Sequence, residues 1–519
     1  MGITSFFPWF RQTFSRYVTY IHKNEQLENI DNLLIDMNGL LHPVAQKVFG
    51  YGKYTKPLLL NKDYIPSYEE MVQLFFVEVG KEVDKVLSLV PPNKRLVLCI
   101  DGVAPVAKQI QQRQRRYKSI PVENFDPNSL TPGTDLMTRL GIYLREQYIN
   151  KYVNDIEVIY SSADVPGEGE MKLVSFIRYY SQYNETHAIY GLDADIILLS
   201  LCVLSETNKI FVVRESGIDH AVINVHSVRS NLIDKLRWKS NFSTNDVIYD
   251  FVFMCFFVGN DFLKRLPGVD IMTGSIDKFL DVYVTVCSRH GHLTKNKKID
   301  KHVLQIFLQE LGKHEDEFFS KKLESLSQYI SDPLFEKHVI NGKTFDLPGY
   351  KKEYYNVKLN NTPVDVVCNE YIEGLEWVFS YYTEGVPSWK WYYPYNYSPF
   401  ISDVANYVSK YKSVYYGRTI PYEPLYQLLL VIPPRSMNLL PYPLDTLYKE
   451  FPGLFPEDVV VDAAGKRHAY EAEVILPAIN DNNLYKEFIA ILESSELSTY
   501  SSINRSISVF RNNVQVIEL

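Results

Sequence analysis

The sequence predicts an α/β protein in which a mostly parallel sheet is flanked by helices, with a second helical and mixed region following it. Three observations carry that prediction. Short runs rich in Ile, Val and Leu alternate with helix-length segments through the first half of the 519 residues. These runs are apolar at nearly every position rather than every second one, as strands covered on both faces are. Near Pro267 the alternation stops, and charged helical and aromatic-rich segments take over.

The strand runs, in order, are NLLIDM (32–37), KRLVLCID (94–101), IEVIYSSAD (156–164), HAIYGLDAD (187–195) and KIFVVRES (209–216). Helix-length stretches such as SYEEMVQLFFVEVGKEVDKVLSLV and GEMKLVSFIRYYSQY lie between them, which is the pattern of a parallel sheet with helical crossovers. The first, second and fourth runs carry an acidic residue at or next to their end, where the ligand crevice of such a sheet lies. Beyond Pro267 comes the charged helical KNKKIDKHVLQIFLQELGKHEDEFFSKKLESLSQYI, then the Tyr- and Trp-dense WVFSYYTEGVPSWKWYYPYNYSPF (377–400), then a Pro-rich mixed tail ending in VQVIEL. The expected organisation is a core over 1–270, a helical connecting region over 271–350 and an aromatic-rich region over 351–519 that packs on the core.

Bulk composition narrows the function classes. The chain is 46% hydrophobic and 22% charged, as soluble globular proteins are, and its 39 tyrosines point to aromatic contact surfaces. A formal net charge of −8 advertises no global basic field for nucleic acid. A local basic patch can act alone, however, and metal-binding carboxylates inflate the negative count. Five scattered cysteines form no CxxC pair and no zinc-ligand spacing, and read as reduced, buried thiols. The N-terminal MGITSFFPWF lacks the charged and apolar regions of a signal peptide, and Phe6 stands where a myristoylation motif needs Ser or Thr. The longest apolar run, FVFMCFFVG, is too short to span a bilayer.

Acids end the apolar runs: Asp36, Asp101, the pair Asp193 and Asp195, and Asp261 in FFVGNDFL, joined by Glu168 and Glu170 in PGEGEMK. Read as strand residues, Asp193 and Asp195 share a face and project into one site. If the strands are neighbours, all seven carboxylates converge at one end of the sheet. Singly each has a plainer reading, a helix cap for Asp36 or Asp101 and a solvated loop for GEGE. Together they point to metal, because seven carboxylates without cations repel and destabilise one another. Oxygen-only donors suit Mg²⁺ or Mn²⁺. Two such ions ~4 Å apart activate a water and stabilise the leaving oxygen of a phosphodiester.

DGVAPVAKQIQQRQRRYKS follows the second strand directly. With a helix from Val106, Lys108, Gln112, Arg115 and Arg116 fall at i, i+4, i+7 and i+8, one cationic stripe. Charge runs are usually solvated faces. This one lacks acids at pairing distance and begins beside Asp101, so it can face the acid cluster and offer donors to a terminal phosphate.

In order and rough spacing, LLIDMNGLLH, IDGVAPVAKQIQQRQRRYKS, VPGEGEMK, GLDADIILL, FFVGNDFL and EGLEWVFSYYTEGVPSWKWYYPYNYSPFISD resemble the eukaryotic 5′→3′ exoribonuclease family, Xrn. LLVIPPRSMNLLP and GKRHAYEAEVILP extend the likeness almost to the C-terminus. The resemblance implies a PIN-like fold akin to flap endonucleases, with the second region closing over the active site. It implies that the seven acids are the catalytic residues and hold two Mg²⁺ ions, with Mn²⁺ as a substitute. Lys108, Gln112, Arg115 and Arg116 match the family's pocket for a 5′-monophosphate. His42 matches a residue that stacks on the terminal bases, and Trp389 or Trp391 is the candidate for the aromatic that completes the stack. The implied substrate is single-stranded RNA with a 5′-monophosphate, degraded processively to nucleoside monophosphates. The enzyme is expected to be a monomer off the membrane, in the cytoplasm, with the nucleus as the alternative.

The chain departs from the family pattern in places. Val106 stands where the family often has Arg, which implies a slightly less basic pocket, and Lys264 stands where Pro is usual. The extra C-terminal domains of the large cytoplasmic members have no counterpart, and the absence of zinc-knuckle cysteines leans away from the nuclear subgroup. Two rival readings remain: a structure-specific flap endonuclease acting on DNA, and a non-catalytic RNA-binding scaffold. Against the first, RLPGVDIMTGSIDKFL carries only a fragment of a helix-hairpin clamp; against the second, the acids are intact.

Overall fold

The computed structural model describes residues 2–58, 66–123, 125–151, 156–180, 184–205, 207–236, 243–479, 482–494 and 497; positions 498–519, the end of the Pro-rich tail, lie outside the described residues. Its centre is a sheet of β1 (Val18–Ile21), β2 (Ile30–Asp36), β3 (Pro92–Cys99), β4 (Glu157–Ser161), β5 (Thr186–Tyr190), β6 (Lys209–Ser216) and β7 (Asp219–Asn224), in the order β1-β7-β6-β5-β2-β3-β4. The five strands from β4 to β6 run parallel, while β7 and β1 add antiparallel to one edge. The five parallel strands are the five apolar runs; the two edge strands were not expected from sequence.

Side-chain alternation explains why those runs are apolar throughout. Leu34, Val97, Ile159, Ile189 and Val212 enter one hydrophobic cluster, whereas Leu33, Ile35, Leu96, Leu98, Tyr160, Ala188 and Val213 enter the other. Helices cover both faces, so the central strand positions are buried on one side or the other. In chain order the first half contributes α1 (Phe6–Thr13), α2 (Asn38–Phe49), α3 (Tyr68–Leu89), α4 (Val106–Lys118), α5 (Asp135–Lys151), α6 (Gly169–Tyr179), α7 (Asp195–Val203), α8 (Val225–Leu236) and α9 (Thr244–Cys255). A capping box fixes the start of α3, with the Ser67 hydroxyl accepting from the Glu70 amide and the Glu70 carboxylate accepting from Ser67.

The second half is largely helical: α10 (Ser275–His290), α11 (Lys301–Gly312), α12 (Glu315–Glu324), α13 (Pro333–Glu336), α14 (Leu347–Leu359), α15 (Val364–Thr383), α16 (Ile401–Tyr407), α17 (Pro424–Val431), α18 (Leu447–Glu450) and α19 (Asn482–Ser494). Three two-stranded ribbons interrupt it. One hydrophobic cluster runs from Ile3 to Tyr411 without a break at 270, so the second half shares the core of the first.

Strand order reverses at β2: β3 and β4 lie to one side of it, β5 and β6 to the other. A crevice therefore opens beyond the carboxyl ends of β2 and β5, the usual ligand position in open parallel sheets.

Candidate active site

Asp36 is the last residue of β2, and Asp101 follows β3 by two residues. Asn38 ties them together. Its backbone amide donates to Asp36 Oδ1 at 3.2 Å, its side-chain amide donates to Asp101 Oδ2 at 2.8 Å, and its side-chain oxygen accepts from the Asp101 amide at 3.1 Å. Glu168 caps α6 and Glu170 lies in its first turn. The Gly169 amide between them donates to Asp101 Oδ1 at 2.7 Å. A Cβ at Gly169 would stand 2.8 Å from Asp36 Oδ1 and 3.3 Å from Asp101 Oδ1, so the GEGE segment needs its second glycine for close approach.

The DAD pair differs from its expected form. β5 ends at Tyr190, Asp193 lies in the loop beyond, and Asp195 opens α7. The run IILLSLCV is apolar on every side because α7 is buried all round, which makes a short helix look like a strand. The two acids still reach one site, now from a helix N-terminus, whose positive dipole end favours anions.

All seven acids form one electrostatic neighbourhood. Asp36 is repelled by Asp101 and Asp193, Glu170 by Asp193, Glu168 and Asp195, and Asp195 by Asp261 and Asp193. Burial first, and then this repulsion, pushes Asp36 and Glu170 well above the ordinary carboxylate range and Asp195 to about 7. Lys108 offsets part of the strain. Its ammonium is 2.7 Å from Asp261 Oδ2 and also grips Glu168. Burial disfavours the Asp261 anion, but Lys108 and the Gly2 amide, 3.1 Å from Asp261 Oδ1, hold it below its usual value. The Ile3 amide donates to Asp195 Oδ1 at 3.1 Å.

Among the described residues, no three His, Cys, Asp or Glu side chains are drawn close enough to hold a metal ion as they stand. The Lys108 ammonium stands among these acids, paired with Asp261 and Glu168. The donor chemistry fits a hard divalent cation. Every candidate ligand is a carboxylate, Glu170 Oε2 is buried without a hydrogen-bond partner, and burial, joined by mutual repulsion, disfavours the anions of Asp36, Glu170 and Asp195.

Helix α4 starts at Val106, as its sequence periodicity predicts, and presents the basic stripe to this crevice. Lys108 is the exception within that stripe, since its partners are the two carboxylates rather than open space. Arg115 feels Asp101, Asp261, Asp193 and Glu168. Arg116 donates from Nε to Thr131 Oγ1 at 2.9 Å, while its buried Nη1 has no hydrogen-bond partner. Burial, and then repulsion from Arg115, lowers Arg116 to about 9. Gln112 is buried on the same face. Two crowded guanidinium groups in a desolvated crevice favour an anion. Burial, then Arg115 and Arg116, lowers His42 on α2 to about 3, so its ring is neutral at physiological pH.

Two sequence assignments change. Trp391 is buried, its ring stacked 5.0 Å from that of Trp377 at an interplanar angle of 24°, which makes it core rather than a surface for a base. Trp389 is half-buried, its carbonyl accepting from the Val106 amide at 3.0 Å at the start of α4, and it remains the candidate. Val106 itself packs in the cluster with Leu425, Leu428 and Leu429 of α17, so its side chain belongs to that core and not to a phosphate pocket. Lys264 pairs with Glu473 at 2.7 Å. Sequence reasoning also missed Tyr381 and Tyr382 of α15, which reach the acids from the far half of the chain.

Comparison with known proteins agrees with this geometry. Residues 1–122 and 119–216 match the profile described as "XRN 5'-3' exonuclease N-terminus", and residues 241–347 and 345–506 match that described as "Xrn1 helical domain". A Drosophila melanogaster protein named "5'-3' exoribonuclease 2 homolog" is 27% identical over 94% of this chain and 71% of its own length. The human "5'-3' exoribonuclease 1" is 26% identical over 93% of this chain, which spans 34% of that protein's length. The Gallus gallus "5'-3' exoribonuclease 2" is 26% identical over 93% of this chain and 69% of its own. The chain, with its PIN-like α/β core, therefore belongs to the XRN 5′-3′ exonuclease family.

Proposed function

We propose that this protein is a 5′→3′ exoribonuclease that hydrolyses single-stranded RNA bearing a 5′-monophosphate and releases nucleoside 5′-monophosphates processively. One observation carries the reading: on one face of α4, Lys108 pairs with the acids while Arg115 is drawn to Asp101, Asp261, Asp193 and Glu168, so a basic stripe and a carboxylate cluster from separate segments share one crevice. Family membership and the names of the relatives support it.

In this reading Arg115, Arg116 and Gln112 bind the terminal phosphate, and a small pocket excludes caps and triphosphates by size. The neutral His42 ring stacks on the first bases, with Trp389 opposite it; such stacking grips every base alike. Asp36, Asp101, Glu168, Glu170, Asp193, Asp195 and Asp261 would hold one or two divalent cations, Mg²⁺ or Mn²⁺, which when bound supply an activated water and charge stabilisation at the leaving oxygen. Glu168 and Glu170 stand at the N-terminus of α6, and Asp195 opens α7; the positive ends of helix dipoles favour anions. The protein acts as a monomer in the cytoplasm, a placement supported by five buried free thiols.

The test compares 5′-phosphorylated and 5′-hydroxyl RNA, together with flap DNA, in Mg²⁺. Rapid release of mononucleotides from the phosphorylated RNA alone is the expected result. Indifference to the 5′ group removes the phosphate pocket, preference for the flap moves the protein to the endonucleases, and inertness on all three makes it a scaffold.

A further inference from the structure

Helix α15 of the second half ends on the carboxylate cluster. Tyr381 Oη donates to Glu168 Oε1 at 2.5 Å, and both side chains are buried, with relative exposures of 1% and 2%. The other Glu168 oxygen takes Lys108, so each oxygen of this carboxylate has a partner.

The ring is locked from behind. Tyr381 stacks on Trp377 at 5.2 Å and 15°, Trp377 stacks in turn on Trp391, and the Trp377 indole N–H donates to the Ser388 carbonyl at 3.0 Å. On its other side Tyr381 meets Phe262, the neighbour of Asp261, edge to face at 4.8 Å. Packing alone asks only for the ring. A buried phenol hydroxyl is costly unless it finds a partner, and the Tyr381 hydroxyl finds it in a candidate metal-binding acid from a different region of the chain. Hydrogen bonds to an ionised acceptor are short and strong, and they fix orientation.

We propose that Tyr381 is a positioning residue that orients Glu168 toward the divalent cation, by a hydrogen bond made from helix α15 of the second half. The inference rests on the reading of the acid cluster as that site. Outer partners of ligating carboxylates typically carry 10–100-fold of metal affinity or activity when removed.

The test uses Tyr381→Phe, which keeps the ring, with Tyr371→Phe as control. Tyr371 is also on α15, and its hydroxyl donates to the Lys264 carbonyl at 3.2 Å. Mn²⁺ binding to the protein without RNA is measured by titration calorimetry, alongside kcat and KM on 5′-phosphorylated RNA and the thermal midpoint. The expected result is Mn²⁺ affinity weakened on the order of tenfold in Tyr381→Phe, kcat reduced to match, KM within about twofold and little change in the control. Mn²⁺ affinity and kcat within about twofold of wild type in Tyr381→Phe overturn the inference, as does a loss matched by the control or accompanied by a raised KM and a lowered thermal midpoint, which marks plain packing. A wild-type protein without metal-stimulated hydrolysis overturns the parent reading instead.

Discussion

Nζ of Lys108 lies 2.7 Å from Oδ2 of Asp261, across 153 residues of sequence, and the same ammonium grips Glu168. A single buried cation thus links α4, the loop before α6 and the segment after α9. Its removal leaves carboxylates buried without their counterion. Lys108→Met is expected to destabilise the fold by roughly 3–5 kcal/mol, measured by denaturant unfolding. Mg²⁺ is expected to raise the melting temperature of this variant more than that of wild type, because the cation takes over the lost charge. An equal response of both proteins to Mg²⁺ contradicts the claim that Lys108 and a divalent cation serve the same acids.

Gly169 holds its amide against Asp101 while leaving no room for a side chain beside Asp36. Gly169→Ala is expected to cost about 1–3 kcal/mol through overpacking. It is also expected to reduce turnover on the order of 100-fold, since small displacements of reacting groups are expensive. Steady-state hydrolysis at temperatures well below unfolding separates the two effects. Full activity in a folded variant contradicts the close approach.

The two tryptophans separate by stability and substrate affinity. Trp391→Ala empties a stacked core position and is expected to cost roughly 3–5 kcal/mol. Trp389→Ala is expected to leave stability within about 1 kcal/mol and to raise KM for RNA roughly tenfold, the loss of one stacked base. The opposite assignment of effects overturns this division.

How much of this was legible in the sequence follows from burial and range. Strands β2 to β6 showed themselves because both their faces are covered, which forces continuous apolar runs, and acids mark their carboxyl ends. Strands β1 and β7 did not. β1 spans four residues with its two central side chains exposed, and edge strands carry little apolar pattern. The stripe of α4 was readable because its period is helical and it lacks acids. The place of Lys108 among the acids, the grip of Asn38 on Asp101 and the reach of Tyr381 to Glu168 are contacts between distant segments, and no local pattern encodes them. The DAD pair was assigned to a strand because α7 is buried on all sides, so that periodicity could not separate helix from strand.

Glu473 supplies a pH test through its ion pairs. Burial pushes its carboxyl up, but Lys264 and Lys466, at 2.7 and 3.0 Å, outweigh burial and hold it at about 2. A carboxylate with a lowered folded pKa contributes stability above its unfolded value near 4.5 and loses it as pH falls toward 2. The stability gap between wild type and Glu473→Gln is therefore expected to be ~3 kcal/mol and flat above pH 5, and to narrow between pH 5 and pH 3. Chemical denaturation across that range reads it, and a gap that widens on acidification contradicts the assignment.

Arg116 tests the recognition of the 5′ end. Its unpartnered Nη1 and its repulsion from Arg115 make it a waiting anion site. Arg116→Met is expected to reduce the preference for 5′-phosphorylated over 5′-hydroxyl RNA by roughly 10–100-fold, the value of a charge-assisted hydrogen bond. Competition between the two RNAs in one reaction measures the ratio directly, and an unchanged ratio removes Arg116 from the pocket.

The account depends above all on the acids serving a divalent cation. Crystals of the protein soaked in Mn²⁺, with data collected at the manganese edge, give the most direct test. One or two anomalous peaks bounded by Asp36, Asp101, Glu168, Glu170, Asp193, Asp195 and Asp261 are the predicted result. A protein that hydrolyses RNA in the same buffer yet shows no peak among those carboxylates contradicts it.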